Sequence, residues 1–325
     1  MKSISEKDPI HDMTPRRVTT EHELRSLLGT DLHTLIVSRG HRVEEVLPLG
    51  GPSRWRQRPG SFRLKFSDGR LCKGIVLPDA QRMREVVFIL EVVAHRALPR
   101  LIAHAGTAML QAWIEGESLL DVPLTPQILA SGGSLQGHIH SAPVPRGGPY
   151  GDQFGDLPAW RDQGRENLAY LKEAGVISES EVSLISELIV HHAPGDLSAG
   201  FIHKDFCAEN MVQDRLARIF VVDNESLCVG PYDYDLARTW YRWDMTREEW
   251  TLYLAAYERN RSAADFREHF VYWGLVTLLR AAVFRLKTTG TPPGRALERL
   301  RWLLEDANRR IPGDDLMLRE HESSE

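Results

Sequence analysis

Residues His203-Lys204-Asp205-Phe206-Cys207-Ala208-Glu209-Asn210 decide the reading of this chain, together with two segments just C-terminal to them. An apolar run, Ile219-Phe220-Val221-Val222, ends in Asp223-Asn224-Glu225. Pro231-Tyr232-Asp233-Tyr234-Asp235-Leu236-Ala237-Arg238 completes the pattern. Asn210 stands five residues after Asp205, and Asp223 thirteen after Asn210. Phosphoryl transfer needs such a set. A carboxylate such as Asp205 can orient and deprotonate a hydroxyl, while Asn210 and Asp223 can reach a metal under nucleotide phosphates. Alone, each is an ordinary loop or turn residue. Their shared spacing favours the chemistry.

The segment resembles the aminoglycoside phosphotransferase and choline kinase family, the small-molecule branch of the protein-kinase-like fold. His203, Asp205 and Asn210 supply its H-x-D-x-x-x-x-N loop. Asp223 matches the strand-end Asp, and Asp235-Leu236-Ala237 matches the later D-L-A element. The resemblance implies an α+β, two-lobed protein-kinase-like fold with a small antiparallel-sheet lobe and a larger helical lobe. It implies Asp205 as catalytic base, Asn210 and Asp223 as magnesium ligands, and ATP as phosphate donor. The partner would be a small-molecule hydroxyl: an aminoglycoside-like antibiotic, an amino alcohol, a sugar or another metabolite. A non-catalytic nucleotide-binding relative is the alternative. A protein kinase is disfavoured, because no D-F-G, A-P-E or activation segment comes after Asp223.

The same resemblance makes Lys73 the phosphate anchor. A charge within the apolar run Leu71 to Leu77 needs a reason; an edge strand with Lys73 facing solvent is the plain alternative. A helix acid should orient it, either Glu85 or Glu91, with Glu85 better placed for the family. The strand Met109 to Ile114 would join the lobes, with the backbone around Gln111 and Trp113 against the adenine edge. Glu225 is open between the metal site and a surface ion pair. Asp235 resembles the acid that braces the catalytic loop. Gly50-Gly51 and Gly60 bracket Arg54, Arg56 and Arg58 without forming G-x-G-x-x-G, so the phosphate cover stays unassigned. Trp240, Tyr241, Trp243 and Asp244 are either an acceptor pocket for a cation or sugar, or helical core.

With 325 residues the chain is long enough for two domains or one two-lobed domain. Its division is expected as 1–40, an extension with one helix; 41–114, the small lobe; and 115–325, the helical lobe. A net charge of −5 supplies no basic field for nucleic acid. Three cysteines give neither a disulfide framework nor zinc spacing and fit a reducing cytoplasm. No apolar stretch is long enough to span a membrane: Val271 to Leu279 is cut by Arg280. Thr20 with Glu23 reads as a capping box, and Gly29 as the helix stop. Phe62, Leu64 and Phe66 alternate with Arg63 and Lys65 as in a half-buried strand. Gln81 to Leu98, Arg161 to Ala174, Ser178 to His192, Phe266 to Leu286 and Arg295 to Arg310 read as helices. Ser131 to Gly155, rich in Gly, Pro and Ser, reads as a loop. The tail after Pro312 reads as frayed.

Overall fold

The computed structural model describes residues 15–18, 20–49, 60–150, 157–291 and 294–308. The expected phosphate cover at 50–59 and the tail after Pro312 lie outside the described residues. In chain order the elements begin with β1 (Arg16–Arg17), α1 (Glu21–Leu28), α2 (Thr30–Ser38), β2 (Val43–Leu49), β3 (Ser61–Phe66), β4 (Leu71–Val76), α3 (Ala80–Val93), β5 (Leu101–Ala105) and β6 (Ala108–Ala112). They continue with β7 (Glu117–Ser118), α4 (Pro126–Ser141), α5 (Leu157–Glu173), α6 (Glu179–His191), β8 (Ala199–Ile202), β9 (Met211–Gln213), β10 (Ile219–Val221) and β11 (Cys228–Pro231). Five helices complete the chain: α7 (Tyr232–Arg242), α8 (Arg247–Tyr257), α9 (Ala264–Glu268), α10 (Phe270–Thr289) and α11 (Gly294–Asn308).

The chain divides into two units. One contains the described residues up to Gly116 together with Asp214–Glu225. The other contains Glu117–Gln213 and the described residues from Ser226 onward. The expected three-part division changes in two respects. α1 and α2 share the core of the sheet unit, and the strand leading to Asp223 belongs with that unit.

In that unit the sheet is antiparallel, in the order β1-β2-β3-β4-β6-β5. Successive side chains on a strand point to opposite faces. One face is apolar: Phe62, Leu64 and Phe66 are buried with Val46, Cys72 and Leu110. Leu24, Leu28, Leu32, Leu35 and Ile36 from α1 and α2 belong to the same core. The single helix expected here is therefore two, broken at Gly29, whose φ of +79° suits glycine. Thr20 caps α1 through Oγ1, which accepts from Glu23 N at 3.2 Å. Gly74 lets α2 lie close: a Cβ there would fall 2.9 Å from methyls of Leu32 and Leu64. The alternate set, Arg63, Lys73 and Gln111, is in register across β3, β4 and β6. Thus the alternation that builds the core also gathers a polar row. α3 is capped by Asp79, which accepts from Arg82 N at 2.7 Å. It ends at Val93 rather than Leu98, because Ala94 turns left-handed at φ +40°.

In the other unit, α4 replaces the loop expected from Ser131. Thr125 caps it, with Pro126 in the first turn. Its glycines serve close packing on α8 rather than chain freedom. A Cβ on Gly133 would lie 2.1 Å from Tyr253 O, and one on Gly137 2.6 Å from Tyr257 O. Residues four apart share a helix face, so the pair forms one flat contact. The helix expected from Phe266 is split at His269 into α9 and α10. α10 carries Phe270, Trp273, Leu275, Leu278 and Leu279 into the core and stops at Gly290, φ +69°. α6 has a full capping box from Ser178 and Glu181. α11 buries Leu297, Leu300, Leu303 and Leu304. Among the described residues no helix is long and apolar enough to cross a membrane.

Candidate active site

The loop after β8 is pinned by one buried carboxylate. Asp235, at the start of α7, accepts His203 N at 3.2 Å on Oδ2 and Lys204 N at 2.6 Å on Oδ1. Gln136 Nε2 and His140 Nε2 also reach its Oδ2, at 3.1 and 3.0 Å. Burial alone would raise the Asp235 pKa, but His140, His203 and Gln136 outweigh it and hold it below the usual range. The matching D-L-A acid thus braces the loop through its main chain. Lys204 takes φ +67°, an uncommon backbone position for a side-chain-bearing residue. His203 is fully buried and packs edge-on to Phe206. Among the described residues its ring nitrogens have no hydrogen-bond partner.

Asp205 then emerges from a rigid base. Its Oδ1 accepts Arg238 Nη2 at 2.9 Å, with Arg242 Nη1 3.5 Å away. Its Oδ2 accepts Asn210 Nδ2 at 3.1 Å, and that amide also donates to Asp205 O at 2.9 Å. Burial acts to raise the Asp205 pKa, but Arg242 and Arg238 prevail and hold it below the usual carboxylate range. Cys207 in the same loop is buried, and burial with the neighbouring Asp205 pushes its thiol far up. It is inert packing rather than a nucleophile.

The sheet unit carries the second cluster. Lys73 is buried, and its Nζ pairs with Asp223 Oδ1 and with Glu225 Oε1, the latter at 3.1 Å. Desolvation would lower the Lys73 pKa; Glu225 and Asp223 reverse that and raise it. Glu225 also accepts Ser61 Oγ at 2.7 Å, and its main-chain oxygen accepts Arg82 Nη2 at 2.7 Å. Asp223 adopts φ +66°, a position Asp tolerates better than most residues. The expected Lys73–Glu85 pairing is replaced. Glu85 is buried on α3 with Arg82 at 3.2 Å and Gln81 at 3.3 Å, and Glu91 is exposed. The acid that meets Lys73 comes from the strand end, two residues past Asp223, because β4 and that segment lie within one unit.

Gln111 is fully buried beside Lys73, with neither side-chain polar atom hydrogen-bonded. Trp113 donates its N–H to Leu71 O at 3.4 Å, and Arg63 lies 5.4 Å from its ring centre. Trp240 and Trp243 are core residues: Trp240 packs on Phe270 and Trp302, and Trp243 on Tyr253. Asp244 pairs with Arg299 at 2.9 Å and Arg295 at 3.2 Å. Tyr241 is half-buried, and exposed Asp244 is held by α11. The residues missed in the sequence are Arg238, Arg242 and Arg82. Arg238 and Arg242 carried one signal, their spacing of four on a helix that starts at the bracing acid.

Each unit taken by itself offers a hard oxygen of the kind magnesium prefers. Asn210 turns Nδ2 into its own loop, which leaves Oδ1 as a hard oxygen ligand. Asp223 engages Lys73 through Oδ1, so its Oδ2 is the oxygen left to offer. Among the described residues no three acidic, His or Cys groups converge on one point. Magnesium does not require such a cage, since phosphate oxygens and water supply most of its ligands.

The sequence profile of the phosphotransferase enzyme family matches residues 59–270. The chain belongs to this family. Solved structures agree with that membership. The choline kinase LicA from Streptococcus pneumoniae is similar with a TM-score of 0.56 at 15% identity, covering 83% of this chain and 95% of its own. A macrolide 2'-phosphotransferase type I gives 0.57 at 14% identity, with 89% and 98% covered. Spectinomycin phosphotransferase APH(9)-Ia, in complex with ADP and spectinomycin, gives 0.57 at 13%, with 87% and 95% covered. At such identities the likeness shows the fold: this phosphotransferase has the protein-kinase-like fold that the motifs implied. Comparison with curated proteins gave no significant match.

Proposed function

We propose that this protein transfers the γ-phosphate of ATP to the hydroxyl of a small molecule, with magnesium as the metal. The observation that carries this reading is Asp205. Its carboxylate is ionised, fixed on both oxygens and mounted on a loop whose backbone is braced by Asp235. In the reaction the acceptor oxygen bonds to the γ-phosphorus, the bond to the bridging oxygen of ADP breaks, and the hydroxyl proton leaves. Asp205 orients that hydroxyl and accepts its proton. Lys73, held by Glu225, supplies positive charge to the phosphates. Asn210 and Asp223 would hold magnesium, which neutralises phosphate charge when bound. The ADP-bound relative supports a nucleotide donor. The free cysteines Cys72, Cys207 and Cys228 fit a reducing cytoplasm.

The test is ADP release against a panel of hydroxyl compounds, with the product identified by mass, with and without magnesium. Wild type should phosphorylate at least one compound only when magnesium is present. Asp205→Asn should lose turnover by orders of magnitude while ATP binding survives. Full turnover in a folded Asp205→Asn protein would remove Asp205 from this role.

A further inference from the structure

In the helical unit, α5, α7 and α10 meet in a cluster of arginines and aromatic rings. Trp160 lies 4.6 Å from Tyr234 and 5.8 Å from Trp273, centre to centre. The Arg280 guanidinium sits 6.0 Å from the Trp160 ring and 5.6 Å from the Tyr234 ring. Its protein hydrogen bond is to a neutral partner, Gln163 Oε1, at 3.0 Å. Among the described residues neither Arg280 nor Arg161 has a carboxylate partner, although both are half-buried. Asp233 lies beside Trp273, and its charged neighbours are Asp265 and Arg261. One turn along α7 from Tyr234 is Arg238, which holds Asp205. The cluster therefore adjoins the proposed base within one unit.

Its polar atoms are unmatched in one direction. Arg161 Nε, Arg238 Nε, Tyr234 Oη and Thr277 Oγ1 are buried without hydrogen-bond partners, and Tyr234 and Thr277 are fully enclosed. The arginine nitrogens are donors only, so what completes them must bring acceptors. Buried donors in native proteins are satisfied, and a half-buried guanidinium is completed best by a carboxylate or phosphate. An amino-sugar or quaternary-amine cation would meet Arg280 and Arg161 instead of an acid.

We propose that the hydroxyl acceptor carries an anionic group, held by Arg280 on its bed of Trp160 and Tyr234. This rests on the phosphotransferase reading and names the substrate class for it. The half-buried Trp160 supplies an apolar wall, Tyr234 backs Arg280 from inside, and Arg280 supplies the fork that fixes the anion while Asp205 takes the hydroxyl.

Calorimetric titration of the full chain with four probes tests it: glycerol 3-phosphate, glycerate, glycerol and choline. One anionic probe should bind about tenfold or more tighter than glycerol and choline, as expected of hydrogen bonds to a charged group. The phosphate and carboxylate arms tell which anion the site takes. Arg280→Gln should erase the preference. If that variant does not fold, Arg280→Lys decides, since lysine has no planar fork: a weakened preference supports the proposal and an unchanged one overturns it. Equal or tighter binding of choline or glycerol by the wild type also overturns it. An Arg280-dependent anion that is bound yet never phosphorylated sinks the phosphotransferase reading and leaves this site standing. Phosphate transfer to choline or glycerol without anion preference does the reverse.

Discussion

Buried Lys73 and half-buried Glu225 form an ion pair at 3.1 Å, and Glu225 is in turn fixed by Ser61 through Oε1 and by Arg82 through its main chain. Removing one partner of such a pair leaves an uncompensated charge in a low-dielectric site. Ser61 and Arg82 therefore help place a lysine they do not touch. Glu85 is linked to the same group through Arg82.

Glu225→Gln should accordingly impair phosphate transfer more than Glu85→Gln. We expect a fall of about tenfold or more in kcat/KM for ATP with the first, and a few-fold change with the second. Steady-state kinetics at saturating acceptor checks the order. A larger defect for Glu85→Gln would mean that Lys73 changes partner once nucleotide is bound.

Arg238→Met should shift the pH dependence of turnover. Arg242 and Arg238 overcome burial to depress the Asp205 pKa, so its acid limb lies below the usual carboxylate range. Removing Arg238 lets burial act, and the limb should move to higher pH. Stability has the same sign. The group stabilises the fold above its unfolded pKa, and that contribution is lost as pH falls through the folded value. An acid limb at the same pH in the variant would dissociate Arg238 from Asp205.

Asp233 behaves oppositely. Burial, with Asp265 nearby, raises its pKa from 3.8 to about 7. Between those values the folded state binds the extra proton, so stability falls as pH rises through the window. Asp233→Asn should remove this term. Thermal melts should show the variant more stable than wild type at pH 8, with the gap closing toward pH 4. A gap independent of pH would contradict the buried, raised carboxyl.

Gly133→Ala and Gly164→Ala separate packing from propensity. Alanine favours an exposed helix interior by up to about 1 kcal/mol. At Gly133 the new Cβ would sit 2.1 Å from Tyr253 O, an immovable backbone atom. Urea unfolding should show a loss of about 2 kcal/mol or more there. At Gly164 the nearest atoms are 3.8 Å away, and the change should be neutral or favourable.

Much of this was legible in order along the chain. Phe62, Leu64 and Phe66 declared a strand by alternation, and Thr20 with Glu23 declared a helix start. The spacing of Asp205, Asn210 and Asp223 marked the family. Ser131 to Ser141 was misread, because composition counts Gly132, Gly133 and Gly137 as breakers until the helix they press against is known, whereas the described residues 142–150 lie outside any helix or strand as expected. The split at His269 had no local signal of that kind.

The sequence by itself determined the family, the sheet alternation and the loop that carries Asp205, because these rest on neighbours within a few residues. Tertiary structure decided which charges meet. Lys73 and Glu225 are far apart in sequence, as are Asp205 and Arg238, and Asp244 is taken by Arg295 and Arg299 of α11. A charge in sequence has many candidate partners; only burial and distance together select one, since screening by water weakens the rest.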